Sequence, residues 1–378
     1  MSTSSRRHAV GLSLIELMVA LAIGTVLVLG LVQVFAASRT AYQLSEGMAR
    51  AQENGRFAMD FLQRDVRMAG HYGCVNDQAH LQTVGALVEH FAPITVNNIG
   101  IDFPVSVRGY NANGTDPGST VQIGAPTAGW TPTLPAAISG LGALPGSDII
   151  ELRFLSNEGV PVDVISTTAT TTTFQVDAAR WNAVQQDGVP APTMFGIADC
   201  SGVDVFPATA VAPGSVTVNA VINRYTPQPA GQTMLFRADS VLFYIANNAT
   251  GQPALFRARS NNNGAYVAEE LVEGIENLQI MYGLDRVADL STQPPSGYIE
   301  DHRTAAGITN TPLQWRRVGL VQVGLMARST NRAGSLQATG NNRPQVLGVT
   351  FDPPATNDGL YRSTYEATIA LRNRLYSN

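Results

Sequence analysis

Residues 11–37 carry the stretch of sequence that decides the fold, which is GLSLIELMVALAIGTVLVLGLVQVFAA. Glu16 is the single charged residue in this stretch, and residues 17–32 contain no strongly polar side chain except that of Thr25. A helix over residues 12–37 is ~39 Å long at ~1.5 Å per residue, which exceeds the ~30 Å of hydrocarbon in a bilayer. The sequence therefore predicts a helix that can span a membrane.

The charges on either side of the apolar segment predict its orientation. Arg6 and Arg7 precede it, whereas Arg39 is the one basic residue close behind it. Basic residues tend to remain on the cytoplasmic side of a membrane. We therefore expect a single-pass membrane protein whose N-terminus stays in the cytoplasm and whose C-terminal part lies on the other side of the membrane.

Three interpretations of the apolar segment compete. A secretory signal peptide, cut after Ala36 or Ala37, normally has an apolar region of only ~7–15 residues. A plain signal anchor explains the length but gives Glu16 no role beyond reaching the headgroups at one end of the span. The third interpretation is a short basic leader that ends at Gly11, so that the apolar segment stays in the mature protein.

Glu16 distinguishes these interpretations. A carboxylate at membrane depth costs ~2.5 kcal/mol or more near the centre of a span, and it usually has a partner. Cleavage after Gly11 would create an α-amine on Leu12, four residues before Glu16. In a stack of such helices, this amine could pair with the Glu16 carboxylate of a neighbouring subunit.

The helical pattern continues beyond the membrane segment. Small and apolar residues recur every three or four positions along one face: Ala41, Leu44, Met48, Ala51, Gly55, Ala58, Leu62, Val66 and Ala69. Asp60 and Arg64 have the spacing of a favourable ion pair on the opposite face. Gly70 follows the last periodic residue and is typical of a helix end. We therefore predict one helix over 12–69, apolar all round in its first half and amphipathic in its second half.

Beyond Gly70 the sequence is typical of antiparallel β-structure. Short alternating segments are separated by Gly, Pro, Asn and Thr, which predicts half-buried strands. Ser240–Ala246 and Pro253–Arg259 flank a turn sequence and predict a hairpin, as do Val160–Ile165 and Thr171–Val176. The predicted fold class is α+β, with a long N-terminal helix that carries a large, mostly antiparallel β-rich head. No internal boundary is evident in 71–378, so the head could have one lobe or two.

The leader resembles the class III signal of type IV pilins and type II secretion pseudopilins. In that pattern a glycine precedes a hydrophobic residue, Ser or Thr, two apolar residues and Glu, which here are Gly11, Leu12, Ser13, Leu14-Ile15 and Glu16. Leu12 replaces the commoner Phe. Residues 268–285 and 365–374, together with the helix exit at 67–74, resemble segments of the PilW minor pilins. The resemblance covers about a quarter of the chain.

This resemblance implies a division of the chain and a role for three residues. Residues 1–11 would be the leader, 12–37 the transmembrane and filament-core half of the helix, 38–70 its amphipathic half, and 71–378 the periplasmic head. Prepilin peptidase would cut after Gly11 and methylate the Leu12 amine. Glu16 would guide the docking of subunits.

The implied function is that of a minor pilin in the initiation or tip complex that primes a type IV pilus. Its expected partners are other minor pilins, the major pilin, prepilin peptidase, the inner-membrane assembly platform and a large pilus-tip adhesin. The alternatives are a minor pseudopilin of a type II secretion system and, from another class, a signal-anchored periplasmic hydrolase or ligand-binding protein.

Composition limits the remaining possibilities. The 378 residues are 44% hydrophobic and 14% charged, with a net charge of −5. This content is too apolar for a disordered chain, and there is no excess of positive charge to bind nucleic acid. Cys74 and Cys200 are the only cysteines. Because the predicted topology places both in an oxidising compartment, we expect them to form a disulfide, although two separate buried thiols are the alternative.

The sequence shows no motif that would support an enzyme. HExxH, CxxC, GxSxG and P-loop patterns are all missing. His71, His80 and His90 could in principle meet at a metal, but isolated surface histidines are commoner. The aspartate pairs Asp285/Asp289 and Asp352/Asp358 do not have EF-hand spacing. We therefore expect a structural protein without catalytic residues, metal or cofactor.

Overall fold

The computed structural model describes residues 13–75, 85–95, 99–261, 263–335 and 340–375. Its helices are α1 Leu14–Met68, α2 Ala136–Ser139, α3 Pro312–Arg316 and α4 Arg372–Leu375. Short 3-10 helices cover Ile99–Ile101, Ala178–Gln185, Ala305–Gly307 and Gly340–Asn342.

The strands of the described ranges follow in chain order. They are β1 Leu87–Glu89, β2 Val107–Ala112, β3 Thr120–Gln122, β4 Trp130–Thr131, β5 Ile149–Leu155, β6 Val160–Thr167, β7 Thr172–Val176, β8 Met194–Ala198, β9 Val203–Pro207, β10 Ala210–Ala212, β11 Ser215–Val218, β12 Met234–Asn247, β13 Pro253–Ser260, β14 Tyr266–Glu273, β15 Ile275–Asp285, β16 Ile299–Arg303, β17 Val318–Arg328, β18 Gln345–Val346, β19 Val349–Asp352 and β20 Arg362–Ala370.

These strands form three sheets, and the long N-terminal helix followed by a mostly antiparallel β-rich head confirms the predicted fold class. The largest sheet is built around β12, which pairs with β5, β6, β8 and β13. A four-stranded sheet has the order β16-β15-β17-β20, and β18, β19 and β3 form a small third sheet. Only the pairs β1–β9 and β3–β19 are parallel in the described residues. Both predicted hairpins are present, as β6–β7 and β12–β13.

The main core lies where α1 meets the head. Ala58, Leu62 and Val66 of α1 are fully buried in one cluster with side chains of β5, β12, β15, β17 and β20. Trp315 also belongs to this cluster. Its ring packs edge to face against that of Tyr282, with the ring centroids 5.2 Å apart. The amphipathic half of the helix therefore belongs to the hydrophobic core of the head.

The prediction of half-buried strands is wrong for β5, because both of its faces are buried. Glu151 and Arg153 point away from the apolar face but are fully buried themselves. An Arg153 Nη2–Glu151 Oε1 contact of 2.6 Å pairs the two charges, and the Tyr266 hydroxyl donates to Glu151. Arg153 Nη1 also donates to the carbonyl of Val105 at 2.5 Å. The alternating charges that suggested a solvent-facing side instead form a second, polar layer of the head.

Burial near this layer makes the stability of the protein depend on pH. Glu89 is half-buried and accepts a hydrogen bond from the N–H of Phe103 at 2.8 Å. Loss of solvation, reinforced by the nearby charge of Asp102, raises the pKa of Glu89 to about 7. The folded state thus holds a proton that the unfolded state releases near pH 4.5. Between about pH 4.5 and 7, the free energy of unfolding should fall as pH rises.

We expect Glu89→Gln to reduce this pH dependence by about 2–3 kcal/mol over that interval, since one pKa unit corresponds to about 1.4 kcal/mol. Part of the slope should remain, because burial also raises the pKa of Asp148 to about 7. Urea unfolding of the detergent-solubilised chain at several pH values measures this pH dependence of the free energy of unfolding. The same substitution at the exposed Glu300 is the control. Equal slopes for the Glu89 variant and the wild type would contradict the assignment.

Candidate assembly site

Glu16 forms a capping box at the start of α1. The N–H of Ser13 donates to Glu16 Oε2 at 3.0 Å, and the Ser13 hydroxyl lies 3.1 Å from the same oxygen. In return, the N–H of Glu16 donates to Ser13 Oγ at 3.2 Å. This reciprocal arrangement satisfies two N–H groups that have no partner within the helix. Leu12 was predicted as the first helical residue, but the described helix begins at Leu14 with Ser13 as its N-cap.

The capping box leaves part of the carboxylate available. Both Ser13 contacts use Oε2, and none of the described residues donates to Oε1. The side chain is exposed and lies on the third residue of α1. Gly11 and Leu12, the predicted processing residues, lie outside the described residues. Glu16 is therefore held in one orientation, with one oxygen still able to accept a hydrogen bond from another molecule.

The apolar half of α1 has no partner in the described part of the chain. Large side chains from Leu14 to Phe35 are 52–78% exposed. By length and composition, the helix is apolar enough to cross a membrane. Such an area of exposed hydrocarbon is stable only in lipid or against other apolar surfaces. This half of the helix must be covered by a membrane or by neighbouring helices.

The second half of α1 packs closely on the head through small residues. A Cβ atom added at Gly47 would lie 2.7 Å from that of Ala333, and one at Gly55 would lie 2.2 Å from the ring of Tyr365. Ala51 and Ala58, on the same face, are fully buried. The head can approach the helix this closely only because these positions carry no larger side chain.

Gly55→Leu should therefore separate the helix from β20. Overpacking costs about 1–3 kcal/mol, and we expect the free energy of unfolding to fall by about that amount despite the better helix propensity of Leu. Thermal or urea unfolding of the full chain in detergent measures the loss. Gln52→Leu, at an exposed position of the same helix, should change stability by less than about 0.5 kcal/mol. Similar losses for both variants would contradict the packing argument.

Polar contacts fix the amphipathic half of α1 at several points. Asp65 is buried, and its Oδ2 lies 3.1 Å from Nη1 of Arg257 on β13. Arg257 also contacts Glu269 of β14 at 2.6 Å. At the helix end, the Asn373 side chain donates to the carbonyl of Arg67 at 3.0 Å. These contacts orient the helix relative to the head in addition to the apolar packing.

The predicted pairing of Arg64 with Asp60 does not describe its main contacts. Arg64 Nε lies 3.2 Å from Asp65, and its Nη1 lies 3.4 Å from Asp187 of the head. Asp187 in turn lies 3.4 Å from the buried Arg237. Arg64 therefore contacts both a neighbouring residue of the helix and the head, and not Asp60.

A disulfide joins Cys74 to Cys200, as predicted, with their Cα atoms 4.8 Å apart. Gly70 and Gly73 have positive φ values, so the chain turns sharply after α1 before it reaches Cys74. Cys200 lies between β8 and β9. The bond therefore attaches the exit of the helix to the large sheet, 126 residues further along the chain.

The histidines do not form a metal centre in the ranges that the structure describes. His90 Nε2 lies 2.6 Å from Asp204 Oδ1, whereas the ring of His71 packs edge-on against Phe236. His80 lies outside the described residues. Among the described side chains, no group of three or more potential metal ligands comes together.

The aspartates considered for calcium are used in other ways. Asp285 accepts hydrogen bonds from the N–H groups of Val287, Ser296 and Gly297 and from the Ser296 hydroxyl, so its carboxylate shapes a loop. Asp289 accepts from the N–H and hydroxyl of Ser291. On the other pair, Asp352 contacts Arg343 and Asp358 contacts Arg362.

Comparisons with known proteins give two family-model matches and one similar solved structure. Residues 242–373 match the family model of the type IV pilus-assembly protein W, and residues 7–32 match the prokaryotic N-terminal methylation motif. A type IV-like pilin from Thermus thermophilus is similar at 15% identity, with a TM-score of 0.24, over 49% of this chain and 85% of that chain. No significant match is found among curated proteins.

The methylation motif and the exposed apolar helix support a membrane-anchored pilin. The match over residues 242–373 shows that the C-terminal third of the chain is similar to the PilW family. These similarities point to a structural pilus protein.

Proposed function

We propose that this protein is a minor pilin that is cut between Gly11 and Leu12, methylated on Leu12 and incorporated into the complex that primes a type IV pilus. The observation that carries the proposal is the Glu16 carboxylate, fixed by Ser13 at the first turn of an apolar half-helix that has no partner among the described residues. Before assembly the helix lies in the inner membrane, with the head on the periplasmic side. During assembly it moves into the core of the pilus.

Electrostatics supports a pairing of Glu16 with a neighbour. The free oxygen Oε1 can accept a hydrogen bond from the α-amine of Leu12 in an adjacent subunit while Oε2 remains bound to Ser13. A charged group in an apolar environment is strongly favoured by an opposite charge that also donates a hydrogen bond. The pair therefore sets the axial register between two subunits.

The mature N-terminus tests the proposal. Mass spectrometry of the protein isolated from sheared pili should identify a chain that begins with N-methyl-Leu12. A chain that begins near Ser38 would indicate a secreted protein and overturn the proposal. A chain that retains residues 1–11 in the pilus would do the same.

Glu16 also bears on the position of the subunit. The Glu16 carboxylate can pair with the α-amine of another subunit only if that subunit lies above this one in the pilus. We therefore propose that this chain is not the outermost subunit of the tip, and that other minor pilins and a large adhesin lie distal to it. A cross-linking map that places nothing distal to this chain would contradict that order.

A further inference from the structure

The outer edge of β20 is an unpaired strand edge in the described part of the chain. β20 is nine residues long, ends the order β16-β15-β17-β20 and pairs with β17 alone. Its register with β17 is regular from Arg362 to Ala370, without a bulge. In an antiparallel pair, alternate residues direct their N–H and C=O groups away from the partner strand. β20 therefore offers a row of backbone donors and acceptors for another strand.

The other sheet edges of the described ranges are protected in ways that β20 is not. β1 and β10 have three residues each, and β4 has two. β16 has five residues, of which four carry ionisable side chains, and its pairing contains a register shift. β14 has eight residues, but its pairing also contains a register shift, and it carries Glu269, Glu270 and Glu273. Short length, bulges and charge are the usual defences against strand addition.

β20 carries little exposed charge. Arg362 lies at its start, where Glu276 and Asp358 bind the guanidinium at 2.6 Å each. Glu366, at the centre of the strand, is the one exposed charged residue, and its Oε1 accepts the N–H of Leu347 at 2.7 Å. The exposed neighbours on the same face are Thr364, Thr368 and Ala370. Small and β-branched side chains of this kind are well suited to a strand pair.

We propose that the free edge of β20 binds an extended segment of a different pilus protein, which adds a fifth strand to this sheet and carries a basic side chain opposite Glu366. This proposal rests on the proposed function, because it needs a pilus partner. Backbone hydrogen bonds would supply the affinity, and the charge pair would fix the register.

The position of Glu366 argues against a second copy of this chain as the partner. If two β20 strands paired antiparallel over their full length, residue 366 would lie opposite residue 366. Like charges directly opposite each other are destabilising in a sheet. Other registers would leave several residues of β20 unpaired. A different chain with Arg or Lys at this point avoids both problems.

Hydrogen exchange of the full-length chain tests the strand addition. We compare the detergent-solubilised protein with the same protein in isolated pili. The outward-facing amides of 363–370 should exchange at least about tenfold more slowly in the pilus, because a new hydrogen bond must open before each exchange event. The amides of 266–273 on β14 are the internal control and should change little. Unchanged exchange in 363–370, in a chain shown to be present in pili, overturns this inference but not the proposed function.

A photo-reactive residue in place of Thr368 identifies the partner in intact cells. Cross-links to an extended, Arg- or Lys-containing segment of another pilus protein support the proposal, whereas cross-links to a second copy of this chain overturn it. Thr368→Lys places a charge on the strand edge, which disfavours the addition of another strand. It should lower incorporation into pili at least about tenfold without changing the free energy of unfolding. Val267→Lys, at an exposed position of β14, is the matched control. If the wild-type chain is absent from isolated pili, both the proposed function and this inference are overturned.

Discussion

Glu16→Gln is expected to lower the number of pili per cell by more than about tenfold, since removing one partner of a buried ion pair costs about 3–5 kcal/mol and 1.4 kcal/mol is already a factor of ten. Glutamine can still serve at the third position of a capping box. The variant therefore keeps the start of α1 and loses only the charge. Electron microscopy of shear-sensitive pili, together with the amount of this chain in them, measures the effect.

Ser13→Ala is the matched control, because it removes the cap and leaves the carboxylate. Loss of an N-cap costs about 1 kcal/mol of helix stability, at a helix end that the rest of α1 continues to support. We therefore expect a clearly smaller loss of pili than with Glu16→Gln. Normal piliation in Glu16→Gln, combined with a defect in Ser13→Ala, would mean that Glu16 acts only as a helix cap.

The long helix could be predicted because its signals are local. The apolar segment and the three- and four-residue spacing that follows it need no knowledge of the head. The signal for the end of the helix is equally local, because Gly70 has the positive φ expected just after a helix end. The hairpins β6–β7 and β12–β13 could be predicted for the same reason, since turn residues separate alternating segments.

Contacts between distant parts of the chain could not be predicted in this way. Asp65 and Arg257 are separated by 192 positions, and nothing in either local sequence indicates the other. The same holds for Glu151, which accepts a hydrogen bond from Tyr266 on another strand. Alternating charged residues in β5 suggested an exposed face because the covering elements were unknown. Only the folded chain shows that this face is a buried ion-paired layer.

The capping role of Ser13 was accessible to sequence reasoning but was missed. A Ser followed three residues later by Glu, just before an apolar helix, is a recognised helix-start pattern. The charge of Glu16 within an apolar segment predicted only a partner in another subunit. The structure supplies an intramolecular partner for one oxygen and leaves the intermolecular pairing as a proposal for the other.

Removal of the disulfide is expected to cause the largest loss of stability. The double variant Cys74→Ser/Cys200→Ser frees a loop of 126 residues, and the chain-entropy model assigns about 4–5 kcal/mol to closing a loop of this length. The free energy of unfolding of the full chain in detergent should fall by about that amount. The loss of local stability should be largest near the helix exit, where Cys74 follows α1 within six residues.

Reduction of the wild-type protein provides the control for this variant. If the bond acts by restricting the unfolded chain, a thiol reductant should lower the stability of the wild type to that of the double variant and leave the double variant unchanged. A double variant that equals the oxidised wild type would contradict this account. Because α1 is also held by Asp65, Gly55 and the apolar core, we expect the variant to keep its fold at low temperature. Its defect in pili should therefore increase steeply on heating, in contrast to the defect of Glu16→Gln, which removes an intermolecular charge and should be present at every growth temperature.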